Sequence, residues 1–252
     1  MRQNITELFR FREGKILQYI HEGKNEFLQT QFGVKYPVYG DIICFLDNVS
    51  LTGNNKKYQK MYDRFSGFYD ISTKIYARLK SGNEKNRVMQ YLSLLDVKNN
   101  DKVIEISIGT GRNIKYLNPR AEYYGVDISL GMLKRCQRKM SQLKRTIILI
   151  QAEAEFLPIK DESFDVVFSA GGFNFVNDPG KAVIEMLRVA KSESKLLITD
   201  ETEKFRLKHS KSDFYKGITI KNPIDYLPFF CKDIEYKEIC DGDLYVLTFY
   251  KP

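Results

Sequence analysis

The stretch Asp101-Lys-Val-Ile-Glu-Ile-Ser-Ile-Gly-Thr-Gly-Arg-Asn-Ile-Lys-Tyr-Leu117 decides the fold. The run from Val103 to Ile108 is almost entirely apolar, which is typical of a strand buried on both faces of a parallel sheet. Gly109 and Gly111 then predict a tight turn, and Asn113–Leu117 predicts the start of a helix. Strand, glycine turn and helix in this order predict the first unit of a nucleotide-binding α/β fold.

Glu105 places a carboxylate inside this apolar strand. Burying it without a partner costs several kcal/mol, so we expect it to meet a donor or a cation. The same carboxylate repels a pyrophosphate but attracts S-adenosylmethionine (SAM), which carries an ammonium and a sulfonium and has no phosphate. Ile114 also stands where a dinucleotide turn needs a third small residue. These features favour SAM over NAD, while an ion pair with a neighbouring Arg or Lys remains an alternative.

A second acid, Asp127, ends the next predicted strand, which begins at Glu122. In adenosine-binding folds an acid at this place accepts both ribose hydroxyls, whether the ligand is SAM or NAD. Asp127 is also placed to cap the helix predicted from Ser129. The two roles are compatible.

Four segments resemble the successive motifs of class I SAM-dependent methyltransferases: Val103–Asn113, Gly125–Leu133, Ala152–Pro158 and Ser163–Phe168. They are most similar to the small-molecule branch that includes the ubiquinone and menaquinone biosynthesis C-methyltransferases. The resemblance implies an α/β fold with a Rossmann-like, seven-stranded, mostly parallel sheet and an antiparallel terminal strand. It also implies SAM as the cofactor and S-adenosyl-L-homocysteine (SAH) as the product. The family usually has glycine where this chain has Ser107.

The resemblance also implies which residues form the cofactor site. They are Tyr69, Glu105, Ser107, Gly109, Thr110, Gly111, Asn113, Asp127, Ile128, Met132, Glu153, Ala154, Glu155, Ser169 and Gly171. Glu153 and the backbone of Ala154 would meet the adenine. The aromatic stretch Tyr58–Asp70 is similar to a segment that closes over SAM, so Tyr62 and Tyr69 are expected to line the cofactor and substrate. Packing of these aromatics in the core is the alternative.

The sequence shows few candidates for a catalytic base. Methyl transfer depends largely on proximity and orientation, so a dedicated base is optional. His209 and Tyr69 are the predicted catalytic residues, although a histidine in a charged loop is also explained by solvation alone. Asp200 and Glu201, at the tip of the fifth predicted strand, are further candidates for a base.

Residues 1–52 are predicted to form a small β-rich module ahead of a methyltransferase domain at 53–252. Thr52–Lys57 is polar and rich in helix-breaking residues, which indicates a linker. Val34–Leu46 is similar to the end of a zinc ribbon that sometimes precedes these methyltransferases. That ribbon uses cysteine pairs, whereas this segment offers only His21 and Cys44, so we expect no metal. Substrate cover, protein contact and a structural remnant are all open roles for the module.

Composition fits one α/β domain with an appendage, since the 252 residues are 43% hydrophobic and 13% aromatic. The four cysteines form no C-x-x-C pair, which favours free thiols. No apolar run approaches a membrane span and no signal-peptide core is visible, so a cytoplasmic protein is expected.

The net charge of +8 is concentrated in residues 51–150, which hold 20 basic and 8 acidic residues. Many of the basic residues fall on the helix predicted at Ser129–Arg145, where a solvated face is favoured over a nucleic-acid footprint. The aromatic stretch Tyr58–Asp70 favours a small aromatic, quinone-like or lipid molecule as the acceptor. An RNA methyltransferase and a non-catalytic SAM-binding protein remain alternatives, and the sequence leaves the oligomeric state open.

Overall fold

The computed structural model describes residues 6–10, 17–46, 51–64 and 84–252. Its strands are β1 Leu17–Glu22, β2 Asn25–Thr30, β3 Lys35–Tyr39, β4 Ile42–Cys44, β5 Lys102–Ile106, β6 Glu122–Asp127, β7 Ile147–Gln151, β8 Phe164–Ala170, β9 Ala190–Glu201, β10 Lys232–Ile239 and β11 Leu244–Tyr250. Its helices are α1 (residues 53–64), α2 Glu84–Leu92, α3 Leu130–Gln142, α4 Pro179–Val189 and α5 Glu203–Lys208. None of the described helices has the length and apolar character needed to cross a membrane.

Across the described residues these strands form one sheet in the order β1-β2-β3-β4-β7-β6-β5-β8-β9-β11-β10. The run from β4 to β9 is parallel, and β11 pairs antiparallel with both β9 and β10. The predicted strand β5 is central, and the chain proceeds to β6 on one side of it and later to β8 on the other. Such a reversal of strand order opens a crevice at the carboxyl ends of the strands.

The predicted count of seven strands is wrong, because the sheet continues beyond β7 and has eleven strands among the described residues. The three residues of β4 are all buried and pair in parallel with β7, as in Ile42↔Leu149. They cover a strand edge whose backbone groups would otherwise lack partners. The strands β3, β2 and β1 then extend the sheet as an antiparallel meander. The N-terminal strands are therefore continuous with the main sheet, while the domain boundary at residue 52 stays a prediction.

The resemblance of the N-terminal segment to a zinc ribbon gains no support. Cys44 is buried in β4, and His21 faces Glu26 across the β1–β2 pair, with 3.8 Å between His21 Nδ1 and Glu26 Oε1. Within the described ranges, no group of three or more His, Cys, Asp or Glu side chains could hold a metal ion. The segment is a sheet extension stabilised by apolar packing, with Leu28 fully buried.

The sheet is covered on both faces. Val88 and Tyr91 of α2 and Leu133 of α3 pack in one buried cluster with alternate side chains of the central strands. Val183 and Met186 of α4 pack in the cluster on the other face. Burial on both faces explains why the central strands are continuous apolar runs rather than alternating ones.

Two predicted local structures are wrong. The predicted linker Thr52–Lys57 enters helix α1, because remote side chains supply the partners that its polar sequence does not. The helix predicted from Asn113 is only a 3-10 turn, Ile114–Tyr116, and Leu117 is already extended. Pro119 lacks an N–H group and restricts the residue before it, so the helix cannot continue.

Gly111 determines how closely the glycine turn approaches α3. Its φ is +69°, and a Cβ at this position would lie 2.6 Å from Cys136 Sγ and 3.2 Å from Met140 Cε. A side chain would therefore be strained by the backbone and would also collide with the helix. The turn requires glycine here for both reasons.

We predict that Gly111→Ala lowers the free energy of unfolding by more than Gly217→Ala does. Gly217 has a similar φ of +78° but nothing within 4 Å of its ideal Cβ. The loss of stability in Gly217→Ala therefore reports the backbone strain alone. We expect about 1 kcal/mol for Gly217→Ala and an additional 1–3 kcal/mol for Gly111→Ala, because of overpacking. Urea denaturation of both variants measures the difference, and equal losses would contradict the close approach.

Candidate functional site

A cleft lies where β5, β6, β7 and β8 end at the carboxyl edge of the sheet. Its empty volume is about 630 Å³, which includes space open to solvent. Eight of the predicted cofactor residues line it: Ser107, Gly109, Asp127, Ile128, Met132, Ala154, Glu155 and Gly171. Tyr62, which was predicted to line the ligand, is also in the wall.

Other predicted cofactor residues do not line this cleft. Glu105, Thr110, Gly111, Asn113, Glu153 and Ser169 lie behind or beside its wall, and Tyr69 lies outside the described residues. The wall also contains residues that were not individually predicted for the site, although some lie in predicted segments: Asn55, Tyr58, Ile106, Val126, Ala152, Gly172, Phe175 and Val176. Several of these residues adjoin predicted strand ends, and this position could have identified them as lining the site. No local signal marked Asn55.

The cleft has an acidic lining. Asp127 and Glu155 are its two carboxylates, and no lysine or arginine is among the described residues that line it. An acid in the position of Asp127 suits SAM and NAD alike, so Glu155 and the lack of a basic side chain in the described lining are what disfavour a phosphate group and favour a cationic ligand. This agrees with the preference that the sequence indicated.

Asp127 ties the glycine turn to the end of β6. Its Oδ2 accepts a hydrogen bond from Gly109 N at 2.8 Å, and its Oδ1 accepts one from Ser129 N at 2.8 Å. Ser129 is itself the N-cap of α3, since its hydroxyl accepts from Met132 N at 3.1 Å. Burial raises the pKa of Asp127 to about 6, although the backbone donors oppose this shift. Asp127 therefore presents an already positioned carboxyl group to the cleft.

Glu105 is completely buried beneath the glycine turn. Asn113 Nδ2 donates to its Oε1 at 2.6 Å, and Tyr91 Oη donates to Asn113 Oδ1 at 2.8 Å. The expectation that Glu105 meets a donor is thus confirmed. Its Oε2 accepts no hydrogen bond within the described part of the chain. Burial raises the pKa of Glu105 to about 8, against the Asn113 hydrogen bond.

This arrangement gives Glu105 a positioning role. Its carboxyl group does not face the cleft but holds Asn113, which follows the glycine turn directly. Direct contact between Glu105 and a cofactor stays a prediction. With a pKa of about 8, the neutral acid is the dominant form at neutral pH unless a cation approaches.

Ser107 has an unusual backbone conformation. Its φ is +60°, a conformation that favours glycine, which is the residue expected here from the resemblance. The Ser107 side chain occupies space beside Gly172, where an ideal Cβ would lie 2.5 Å from Ser107 Cβ and 3.0 Å from its Oγ. The serine at one strand end therefore requires the glycine at the next.

Glu155 is already engaged within the protein. Its Oε1 accepts from Asn177 N at 2.8 Å and Asp178 N at 3.1 Å, and both of its oxygens lie 3.2 Å from Asn55 Nδ2. The same amide donates to Glu153 Oε1 at 2.8 Å. The acids expected near the adenine therefore hold helix α1 as well.

Helix α1 is fastened over the cleft at its start and again at Asp63. At its start, Asn177 Oδ1 accepts from Asn54 N at 2.6 Å and from Asn55 N at 3.3 Å, which satisfies donors that a helix leaves free. Further along the helix, Asp63 Oδ1 accepts from the Ser129 hydroxyl and from Gly131 N. These contacts place the helix against the two loops that follow β6 and β8.

Aromatic packing closes one side of the cleft. Tyr58 of α1 lies 4.9 Å from Phe175 and 5.4 Å from Phe214 between ring centroids, and Tyr62 lies 6.0 Å from Phe214. Tyr58, Tyr62 and Phe175 line the cleft. The rings of this stretch therefore pack in a small core and also line the cleft, while their closure over SAM stays a prediction.

His209 is not in the wall of the cleft. Its ring stacks on Phe205 at 4.1 Å between centroids, and its Nδ1 lies 2.8 Å from the Phe205 carbonyl oxygen. Local contacts at the end of α5 account for its orientation. A catalytic role for His209 gains no support from this geometry and stays a prediction.

Comparison with known proteins agrees with this architecture. Residues 104–198 match the family model described as a methyltransferase domain. A SAM-dependent methyltransferase of Thermotoga maritima superposes with a TM-score of 0.62 at 21% identity, covering 77% of this chain and 99% of that one. The chain has the class I SAM-dependent methyltransferase fold. The cyclase SpnF superposes with a TM-score of 0.61 at 15% identity, over 80% and 98% of the two chains, so the fold alone does not fix the reaction.

Several of the relatives that this chain resembles are named as quinone methyltransferases. Demethylmenaquinone methyltransferase of Renibacterium salmoninarum is 29% identical over 62% of this chain. The ubiquinone/menaquinone biosynthesis C-methyltransferase of Syntrophotalea carbinolica is 29% identical over 56% of it. The matches span 63% and 59% of the lengths of these two relatives.

The residues present fit SAM, the cofactor that the fold implies. Asp127 stands at the end of β6 where a ribose is expected, and the wall around it combines apolar side chains with the polar residues Asn55 and Ser107. The buried Oε2 of Glu105, which has no donor in the described structure, adds negative potential near the glycine turn when it ionises. A cationic, phosphate-free adenosine compound suits this donor and charge pattern.

We predict that Asn177→Ala releases helix α1 while leaving the rest of the fold in place. Loss of a cap costs about 1 kcal/mol, and the two capped N–H groups then lie without their acceptor. Hydrogen exchange over residues 53–64 should accelerate. The matched control is Asn222→Ala, which removes the cap of the 3-10 turn Pro223–Tyr226. Equal hydrogen-exchange rates at residues 53–64 in both variants would argue against the role of Asn177 in holding helix α1.

We predict that Glu105→Gln removes a pH dependence of stability. The native pKa of about 8 lies above the unfolded value near 4.5, so the native state binds the extra proton between these values. Stability of the unmodified chain then falls as pH rises from 4.5 to 8, by several kcal/mol from this group. Glu105→Gln lacks this titrating carboxyl group, so the free energy of unfolding of the variant, relative to that of the unmodified chain, should increase with pH. If urea denaturation shows that the stability of the variant and of the unmodified chain changes in the same way with pH, the raised pKa of Glu105 is refuted.

Proposed function

We propose that this chain is a SAM-dependent methyltransferase that acts on a small-molecule acceptor. The observation that carries the proposal is the acidic cleft at the carboxyl edge of a methyltransferase fold. Its described lining contains Asp127 and Glu155 but no basic side chain. This supports a cationic adenosine ligand over a dinucleotide.

SAM supplies an electrophilic methyl group to a nucleophile held in line with it. In the proposed arrangement Asp127 accepts hydrogen bonds from the ribose hydroxyls, and Ala152 and Ala154 provide a narrow apolar surface for the adenine. Ser107 and Gly109 limit the space at the end of β5. The enzyme contributes orientation and exclusion of water, which supply much of the rate enhancement in reactions of this type.

The acceptor is proposed to be an aromatic, quinone-like or lipid molecule. The aromatic wall of Tyr58, Tyr62 and Phe175 supports a flat apolar acceptor, since aromatic rings favour stacked or edge-to-face contacts. The names of the quinone methyltransferases among the relatives support the same class. The described cleft offers no basic wall that would favour the RNA alternative.

We expect calorimetric titration to show binding of SAM and SAH but not of NAD. Asp127→Ala should weaken SAM and adenosine alike by about 10- to 100-fold, because it removes charge-assisted hydrogen bonds. Asp165→Ala is the matched control, since Asp165 pairs with Lys191 at 2.5 Å and does not line the cleft.

A methyl-release screen with quinone, phenol and RNA acceptors then tests turnover. Methylation of a small aromatic acceptor is the expected result. Preference for a dinucleotide, or failure to bind SAM at millimolar concentration, would overturn the cofactor assignment. Binding without turnover on any acceptor class would indicate a non-catalytic SAM-binding protein.

A further inference from the structure

Helix α1, which lies over the cleft, has two chemically different faces. Asn55, Tyr58 and Tyr62 line the cleft from one side of the helix. The exposed side carries four basic residues, Lys56, Lys57, Lys60 and Arg64. The acid on this side of the described helix is Asp63, whose Oδ1 is held by the start of α3. The outside of the cover is therefore positively charged, in contrast to the acidic cleft beneath it.

A second basic segment lies beside this face. Lys57 Nζ donates to the backbone oxygen of Lys216 at 2.9 Å, and Tyr58 Oη donates to that of Phe214 at 2.6 Å. Helix α1 is thus in direct contact with the segment that follows α5, where Lys211 is also exposed. The two segments together form a basic rim, which consists of Lys56, Lys57, Lys60, Arg64, Lys211 and Lys216.

Helix α5 adds an exposed apolar side chain to this edge of the cleft. Phe205 of α5 packs against the aromatic cluster that contains Tyr58, so the helix belongs to the same part of the surface. Leu207 of the same helix is 58% exposed. An exposed leucine gains free energy when it enters the boundary between lipid headgroups and acyl chains. It gains nothing comparable from a phosphate backbone.

An anionic lipid surface is the partner that these features fit. Clusters of about four to eight lysines and arginines on one helix face are typical of binding to anionic headgroups. The apolar face of α1 is buried in the protein, so the attraction is electrostatic and needs no deep insertion of this helix. RNA fits less well, because the described lining of the cleft contains no basic side chain that would hold a phosphate chain at the site.

We propose that the basic rim docks this chain on an anionic lipid surface, with the carboxyl edge of the sheet toward the bilayer. The docking rests on the proposed function, because an apolar acceptor that is dissolved in a membrane then reaches the cleft without crossing water. Helix α1 serves both sides, since its basic face contacts the headgroups and its aromatic face contacts the ligand.

Vesicle flotation tests the docking on the full chain. Vesicles of mixed phosphatidylglycerol and phosphatidylcholine should bind the chain, and vesicles of phosphatidylcholine alone should not. Binding should weaken as the ionic strength rises, because salt screens the attraction between exposed charges and headgroups. Failure to bind the anionic vesicles at low ionic strength, or binding that does not depend on ionic strength, would overturn the proposal.

Removal of charge from the rim tests which surface docks. The triple variant Lys56→Gln, Lys60→Gln and Arg64→Gln should weaken binding to the anionic vesicles by about 100-fold. The reason is that each basic residue near an anionic surface contributes about fivefold in affinity. These three side chains are exposed and do not line the cleft, so the fold and the ligand site should be retained.

The matched control removes the same charge from the opposite edge of the sheet. It is the triple variant Lys102→Gln, Arg120→Gln and Lys232→Gln, in which the exposed residues lie at or just before the starts of β5, β6 and β10. This control should bind the anionic vesicles much as the unmodified chain does. Equal losses in the two triple variants would show an effect of net charge alone and would overturn docking through the rim.

Lysine acylation of the unmodified chain gives an independent measurement that needs no variant. Lys56 and Lys60 should react more slowly on vesicle-bound chain than on free chain, because the headgroups cover them. Lys102 and Lys232 should react at the same rate in both. Equal protection of the two pairs, or protection of neither, would contradict the proposed orientation.

Two further measurements separate the possible failures. Tighter binding to single-stranded RNA than to the anionic vesicles, at equal phosphate concentration, would overturn the choice of a lipid partner. SAH affinity, measured by calorimetry on the same samples, should be equal in both triple variants and the unmodified chain. If the unmodified chain binds anionic vesicles through the rim but does not bind SAH, the proposed function fails and the docking surface stands.

Discussion

Buried carboxyl groups at the carboxyl edge of the sheet are the constraint on which the site depends. An acid in a low-dielectric environment needs donors, and Asp127 and Asp200 obtain them from the backbone of the loops that follow the strands. Each loop is thereby fixed in one position relative to its neighbour. Glu105 does the same through the side chain of Asn113. These buried acids therefore position the loops that form the walls of the cleft, and Asp127 also contributes to its acidic lining.

The central part of the fold was predictable because its signals are local. Apolar runs predicted the buried strands, and the acids at strand ends predicted the position of the cleft. Asp127 illustrates this, since strand period and position alone place it at the carboxyl edge. Ser107 was recognised as unusual from resemblance, and the structure adds the cause, a positive φ that normally selects glycine. These predictions were possible because they depend only on residues that are close in sequence or on strands whose order is known.

The features that were missed depend on contacts between distant residues. Helix α1 begins in a sequence that indicates a linker, because its cap is Asn177, more than a hundred residues away. The edge pairing of β4 with β7 likewise joins two distant segments, and nothing in the sequence pattern of either one predicts the pairing. Asn55 gave no local indication of a role, since its importance lies in bonds to Glu153 and Glu155. Tertiary partners override local propensity in each case.

These distant contacts connect ligand recognition to closure of the site. Glu155 lines the cleft and also accepts hydrogen bonds from Asn55 of helix α1 and from the backbone of Asn177. A ligand donor that approaches Glu155 must share its oxygens with the amide of Asn55. The position of the covering helix and the occupancy of this part of the cleft are therefore not independent. Loss of Glu155 would disturb the wall and the cover together, so a binding defect there could not be assigned to ligand contact alone.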